Sequence, residues 1–270
     1  MPTNLFKHAL ASTYCQFGLW CTLSSPFATE AVAGAGYDWL LLDTEHSPGD
    51  PLTVLPQLQV IAGYSNVSAV VRPAANDTVL IKRFLDAGAQ TLLIPYVQTA
   101  AEAETAVRAT RYPPFGIRGV SALTRATRFG REAGYFNNAE RDLCVIVQIE
   151  TRQALDNLEA IAGVQGVDAL FVGPADLAAS LGYGADQSHP ELRDTVIETI
   201  GRIKAAGKPA GLLTIDSDLQ ADALGAGVAF LAIGVDAGIL ARTSERMLAQ
   251  IKPKLPLGTH RAEPNGSSHE

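Results

Sequence analysis

Short apolar runs alternate along the chain with longer stretches in which apolar residues recur every three to four positions. A short apolar run bounded by polar residues and glycine reads as a buried strand. The three-to-four spacing reads as one face of a helix. Eight runs fit strands: Gly18–Leu23, Trp39–Asp43, Ser68–Arg72, Thr91–Pro95, Leu143–Ile149, Ala169–Val172, Ala210–Leu213 and Phe230–Ile233. Helical patterns lie between them, among them Thr78–Ala87, Ala100–Thr110, Arg152–Ile161, Leu192–Ala206, Leu219–Ala226 and Gly238–Ile251. Asn76 or Asp77, and Asp216 or Ser217, stand where a helix start wants a side-chain acceptor. Glycines such as Gly88, Gly207 and Gly227 follow helical stretches, where a left-handed residue ends a helix.

Repeated strand–helix units with short loops impose a parallel sheet and right-handed crossovers. Eight units suggest a closed (β/α)8 TIM barrel. A doubly wound open sheet uses the same alternation, but no G-x-G-x-x-G follows the first strand, which disfavours a dinucleotide fold. The barrel is expected to span 1–254 as one domain, with residues 255–270, rich in Pro, Gly, Ser and charge, as a mobile polar tail. One stretch, 113–138, breaks the rhythm and carries Arg118, Arg125, Arg128 and Arg131. Such a long loop is either functional or interfacial, or simply solvated.

Composition narrows the partners. The chain is 47% hydrophobic and 18% charged, enough to bury a large core, with a net charge of -7 and a pI near 5.3. No basic face for nucleic acid is expected. No apolar run reaches the roughly 18 residues of a membrane span. Residues 1–12 hold no secretory core. Cys15, Cys21 and Cys144 are odd in number and contain no C-x-x-C pair, so neither a disulfide framework nor a zinc site is expected, and a cytoplasmic location fits.

The chemistry gathers where strands end. In a parallel barrel, the C-terminal ends of the strands form the reactive face. Asp38-Trp39-Leu40-Leu41-Leu42-Asp43-Thr44-Glu45-His46-Ser47-Pro48 ends an apolar run in carboxylates and an imidazole. Asp43 accepting from His46 would make a general base near neutral pH; a capping aspartate beside a surface histidine is the plainer alternative. Glu150 and Asp176 each follow an apolar run, one strand–helix unit apart, so their carboxylates can converge. Such a pair suits Mg²⁺ or Mn²⁺, or an acid–base pair for glycoside cleavage, or helix capping. Arg72 ends the third strand and can hold a carboxylate or an oxyanion, or join an ion-pair ring. Gly173-Pro174-Ala175-Asp176 turns into a helix whose first N–H groups attract anions. Gly234 and Asp236 form a similar turn, for a phosphate or a cap. Lys82, Lys204, Lys208, Lys252 and Lys254 all lie away from strand ends of the right sense, which argues against Schiff-base chemistry.

In combination these segments resemble the HpcH/HpaI family of metal-dependent pyruvate aldolases. The resemblance rests on the Asp38–Pro48 segment, Val71-Arg72-Pro73, Tyr112–Val120, Gln148-Ile149-Glu150-Thr151 and Phe171–Leu177, and covers about Phe17 to Gln250. It implies a barrel of the phosphoenolpyruvate/pyruvate type. Glu150 and Asp176 would bind a divalent metal (Mg²⁺, Mn²⁺ or Co²⁺), and Arg72 would hold the keto oxygen and neutralise the developing enolate. His46, oriented by Asp43, would move the proton at the C4 hydroxyl. Gln148, the backbone of Gly173, Pro174, Ala175 and Asp176, and Leu212 would line the pyruvate pocket. The aldehyde pocket would draw on Ser121–Arg128 and a neighbouring subunit. The implied reaction is reversible cleavage of 4-hydroxy-2-oxoacids, such as 4-hydroxy-2-oxoheptanedioate, to pyruvate and an aldehyde. The implied assembly is a trimer of dimers with an exchanged C-terminal helix. Alternatives on the same scaffold are aldolases for 2-dehydro-3-deoxyglucarate or 2-keto-3-deoxyrhamnonate, a (citra)malyl-CoA-lyase-like enzyme, a decarboxylase or macrophomate-synthase-like activity, and a non-catalytic binding barrel.

Overall fold

In the computed structural model, which describes residues 3–184 and 186–252, the apolar runs form eight parallel strands in a closed ring. They are β1 (Gln16–Cys21), β2 (Trp39–Asp43), β3 (Ser68–Arg72), β4 (Thr91–Ile94), β5 (Cys144–Ile149), β6 (Ala169–Val172), β7 (Ala210–Leu213) and β8 (Phe230–Val235). The helices are α1 (Leu5–Ala9), α2 (Pro26–Ala33), α3 (Pro51–Ile61), α4 (Thr78–Asp86), α5 (Ala100–Thr110), α6 (Tyr135–Asp142), α7 (Arg152–Asp156), α8 (Leu158–Ala162), α9 (Pro174–Leu181), α10 (Pro190–Ala205), α11 (Ser217–Ala226) and α12 (Asp236–Ile251). The expected (β/α)8 barrel is therefore present. Of the two expected cap choices, Asp77 accepts from Val79 and Leu80 N–H, and Asp216 accepts from Asp218 and Leu219 N–H.

Each strand sends alternate side chains inward and outward. The outward set, including Leu40, Leu42, Val71, Val145, Val147, Leu170 and Leu212, packs with helix residues such as Val54, Ile81, Phe84, Leu177 and Ile200 in the main core. The inward set is smaller: Trp20, Trp39, Leu41, Val70, Leu93, Cys144, Ile146, Ala169, Phe171, Phe230 and Ala232, with Phe6 of α1. Two inward glycines make room for the largest rings. A Cβ at Gly18 would overlap the Trp39 indole, and one at Gly211 would overlap the Phe230 ring. The sequence reading did not foresee α1, which places Phe6 edge-on to both Trp39 (5.9 Å) and Phe230 (5.3 Å). Asn4 donates from Nδ2 to the Asp142 carbonyl and the Thr91 hydroxyl, which anchors α1 beside the starts of β4 and β5.

Two arginines of the long connection between α5 and β5 serve structure. Arg118 is buried, donates to Asp86 Oδ1 (2.8 Å) and stacks on Tyr112 at 4.7 Å. Arg125 donates to the carbonyls of Ala87 and Leu58. These partners precede β4 and β3, so this part of the loop lies at the N-terminal ends of the strands, away from the reactive face of its own barrel.

By internal contact the chain divides into a unit ending at Asp236 and a second beginning at Ala237. The expected domain end at 254 and the tail with His260 and His269 lie outside the described residues. No described helix is long and apolar enough to cross a membrane.

Candidate active site

Strand alternation decides which side chains reach the mouth. On β2 and β3 the inward series ends in Asp43 and Arg72, which are direct neighbours in register. On β5 it ends in Gln148 and, just beyond the strand, Glu150. On β6 it ends in Phe171 and Gly173, the N-cap of α9. These groups surround a cavity of about 250 Å³ lined by Trp20, His46, Arg72, Gln148, Glu150, Phe171, Gly173, Pro174, Ala175, Asp176, Gln187, Leu213, Thr214, Ile215 and Val235.

Arg72 is the centre of the polar network. Its Nε donates to Asp43 Oδ1 at 2.8 Å and its Nη2 to Asp43 Oδ2 at 2.7 Å, a bidentate pair. Its Nη1 lies 2.7 Å from Glu45 Oε2 and donates to Gln148 Oε1 at 3.4 Å. The guanidinium also stacks on Trp20 at 5.0 Å. Burial works to raise the Asp43 carboxyl, but the hydrogen bonds and charge of Arg72, with the Glu45 N–H and Trp20, outweigh it and hold Asp43 below its ordinary range. Burial likewise opposes the charge on Arg72, and Asp43, Glu45 and Glu150 overcome it. Arg72 is thus a fixed cation in a nearly dry site.

Glu150 stands opposite. Its Oε1 accepts from the Tyr96 N–H at 2.6 Å and its Oε2 from Gln148 Nε2 at 2.7 Å. Tyr96 holds a left-handed backbone (φ 55°) to aim that N–H. Burial pushes the Glu150 carboxyl up to about 7. The Tyr96 N–H opposes this, the charges of Glu45 and Asp176 add to it, and Arg72 works against it. Burial also raises Glu45, against Arg72 and His46. Three carboxylates therefore bear on one cavity, and its arginine is already engaged.

That donor set fits a hard divalent cation. Glu150 and Asp176 supply oxygen, the excess negative charge favours a cation, and two carboxylates leave positions for substrate oxygens and water. Among the described residues no group of three or more His, Cys, Asp and Glu closes around one point.

Two expectations need correction. Leu212 does not line the cavity. It is fully buried in the layer between barrel and helices, and Leu213, one residue on and therefore on the opposite face, lines the mouth. Nor does Asp43 orient His46. The Asp43 carboxylate receives Arg72 Nε, Arg72 Nη2 and the Glu45 N–H at 3.0 Å, so its hydrogen bonds go to the guanidinium and the backbone. The carboxylate beside His46 is Glu45, with Oε2 3.9 Å from Nε2. The expected turn at Asp236 is a tie rather than an anion site: its carboxylate accepts from Thr22 N–H and hydroxyl and from Leu23 N–H. The sequence assigns no role to Trp20, Phe171, Leu213 or Glu45; the first three are inward residues near the ends of β1, β6 and β7, and the phase of each strand is the signal that points to them.

A closed (β/α)8 barrel whose mouth sets a fixed arginine against clustered carboxylates can stabilise an oxyanion while a neighbouring carbon gains or gives up an electron pair. A family model described as HpcH/HpaI aldolase/citrate lyase matches residues 16–243. The chain is 58% identical to a pyruvate aldolase of Rhizobium etli, over 93% of this chain and 98% of that protein. It is 52% identical to a 4-hydroxy-2-oxo-heptane-1,7-dioate aldolase of Klebsiella pneumoniae, over 92% and 93%. It matches the crystal structure of an HpcH/HpaI aldolase/citrate lyase family protein from Burkholderia cenocepacia with a TM-score of 0.89 and 39% identity, over 93% of this chain and 100% of that one. The chain belongs to the HpcH/HpaI aldolase/citrate lyase family, and it is a carbon–carbon lyase of the aldolase kind.

Proposed function

We propose that this enzyme cleaves 4-hydroxy-2-oxoacids reversibly to pyruvate and an aldehyde, with 4-hydroxy-2-oxoheptanedioate as the reference substrate. The observation that carries the reading is the meeting of Arg72 with Glu150 and Asp176 in one cavity. Cleavage removes the proton from the C4 hydroxyl, whose oxygen becomes the aldehyde carbonyl as the C3–C4 bond breaks. The electron pair of that bond forms the C2–C3 double bond, and negative charge settles on the C2 oxygen. Protonation at C3 then gives pyruvate.

Arg72 carries the charge on the C2 oxygen. Removing one such fixed donor typically costs about 10²- to 10³-fold in rate. Asp43 and Trp20 hold the guanidinium in place. His46, at the open mouth with 62% of its side chain exposed, takes the hydroxyl proton. Gln148 and the Gly173–Asp176 turn border the pyruvate end, and Leu213, Ile215 and Val235 form apolar wall. Glu150 and Asp176 would hold Mg²⁺, Mn²⁺ or Co²⁺, which supplies Lewis-acid polarisation of the 2-oxoacid oxygens when bound.

The enzyme works in this reading as a cytoplasmic homo-oligomer. The exposed apolar side chains Ile239, Leu240, Met247, Leu248 and Ile251 of α12 support self-association. The Ser121–Arg128 segment, distant from its own barrel mouth, would serve the aldehyde pocket of a neighbour. Pyruvate release from 4-hydroxy-2-oxoheptanedioate and its shorter and hydroxylated analogues, coupled to lactate dehydrogenase with and without EDTA, tests the reading. Release that EDTA abolishes and divalent metal restores is expected. A folded, metal-supplied protein that releases none refutes it.

A further inference from the structure

We propose that Glu45, not Asp43, is the carboxylate that positions His46, and that Arg72 holds Glu45 in place to do so. The inference rests on the aldolase reading above and adds a positioning residue to it. Asp43 is committed elsewhere: its carboxylate takes three hydrogen bonds, two from Arg72 and one from the Glu45 N–H, and its side chain is 1% exposed. Glu45 is in the opposite condition. Its Oε2 is buried and accepts no hydrogen bond, although it lies 2.7 Å from Arg72 Nη1, so that contact is an ion pair off the N–H direction. A buried acceptor without a donor is costly and rare. His46 Nε2, 3.9 Å from the same oxygen, is the donor at hand. Closing that gap requires a rotation of an open-mouthed imidazole, and catalytic hydrogen bonds commonly tighten when substrate binds.

The arrangement divides the labour of two adjacent acids. Asp43 fixes Arg72, which serves the C2 oxygen. Glu45, pinned by the other edge of the same guanidinium, serves the imidazole that handles the C4 hydroxyl. Arg72 thereby sets the spacing between the oxyanion and proton-transfer positions.

Two reactions separate these roles. Cleavage of the hydroxy-oxoacid requires a proton to leave the C4 hydroxyl. Decarboxylation of oxaloacetate breaks the C3–C4 bond with loss of CO2, gives the same pyruvate enolate, and has no hydroxyl proton to remove. The full-length protein, supplied with Mn²⁺, is assayed for both in wild type, E45Q, D43N, H46A and the E45Q/H46A double variant. The expected result is that E45Q lowers kcat for cleavage at least about tenfold more than it lowers decarboxylation, and the decarboxylation that remains shows the variant is folded. D43N lowers both reactions through Arg72. The double variant cleaves no more slowly than H46A alone, because both changes remove one unit. Unchanged cleavage in E45Q, equal loss of both reactions, or additive loss in the double variant overturns the proposal. Wild-type protein that performs neither reaction overturns the aldolase reading itself, a distinct outcome.

Discussion

Stripping divalent metal from this enzyme should make its stability fall as pH rises from about 5 to 8, and Glu150 should be the cause. Its carboxyl is 2% exposed and pushed from an ordinary 4.5 up to about 7, chiefly by burial. The folded state therefore binds the Glu150 proton more tightly than the unfolded chain does. The stabilisation from that proton is complete below the unfolded value and is lost as pH climbs through the folded one. A difference of about 2.5 units at 1.36 kcal/mol each gives about 3 kcal/mol. A bound cation supplies the opposing charge and should return most of it. The assay is urea unfolding of EDTA-treated protein at pH 5, 6, 7 and 8, for wild type and Glu150→Gln, with and without Mn²⁺. Gln keeps an acceptor for the Tyr96 N–H but cannot ionise. Wild type should lose roughly 3 kcal/mol relative to the variant between pH 5 and 8, and Mn²⁺ should restore stability at pH 8 in wild type alone. Parallel pH curves for the two proteins would refute the argument, whatever their absolute stabilities.

Other outcomes follow from the same geometry. Arg72→Ala should lose about 10²- to 10³-fold in kcat with the barrel still folded, read by circular dichroism beside the coupled assay. Leu212→Ala should cost about 2–5 kcal/mol of stability and leave KM nearly unchanged, because its side chain is in the barrel–helix layer. Leu213→Ala should do the reverse, shifting KM or aldehyde preference at smaller cost in stability; denaturation and substrate profiling on the pair check both. Gly173→Ala places a Cβ 2.7 Å from Glu150 Oε2 and 2.9 Å from Glu150 Cβ, so calorimetry should find metal binding weakened by at least about tenfold.

The barrel was legible because its signal is one-dimensional. Apolar runs, caps such as Asp77 and Asp216, and helix-ending glycines each act within a few residues. Their repetition eight times leaves little choice of topology. α1 was not legible, since its five residues are too few for a periodic signal and its role depends on Phe6 meeting Trp39 and Phe230 from distant strands. The arginine-rich loop was ambiguous for a related reason. Whether Arg118 faces solvent or Tyr112 and Asp86 is settled by tertiary contact alone.

Within the site, the residue types could be read and their pairing could not. Leu212 is the residue the resemblance implies for the pocket, and the phase of β7 puts its neighbour Leu213 there instead. On a period of two, an error of one residue moves a side chain from cavity to core. Pairing Asp43 with His46 rests on their nearness in one polar cluster, but side-chain reach is a matter of direction as well as spacing. Asp43 is the last inward residue of β2 and its in-register neighbour is Arg72, so the strand pairing itself commits that carboxylate to the guanidinium. His46 lies beyond the strand, where the pleat no longer dictates direction, and meets the next acid in the chain. In the proposed reading, the register that closes the barrel thus also assigns the acids: the inward one on the strand holds Arg72, and the one past its end, ion-paired to the other edge of that guanidinium, positions His46.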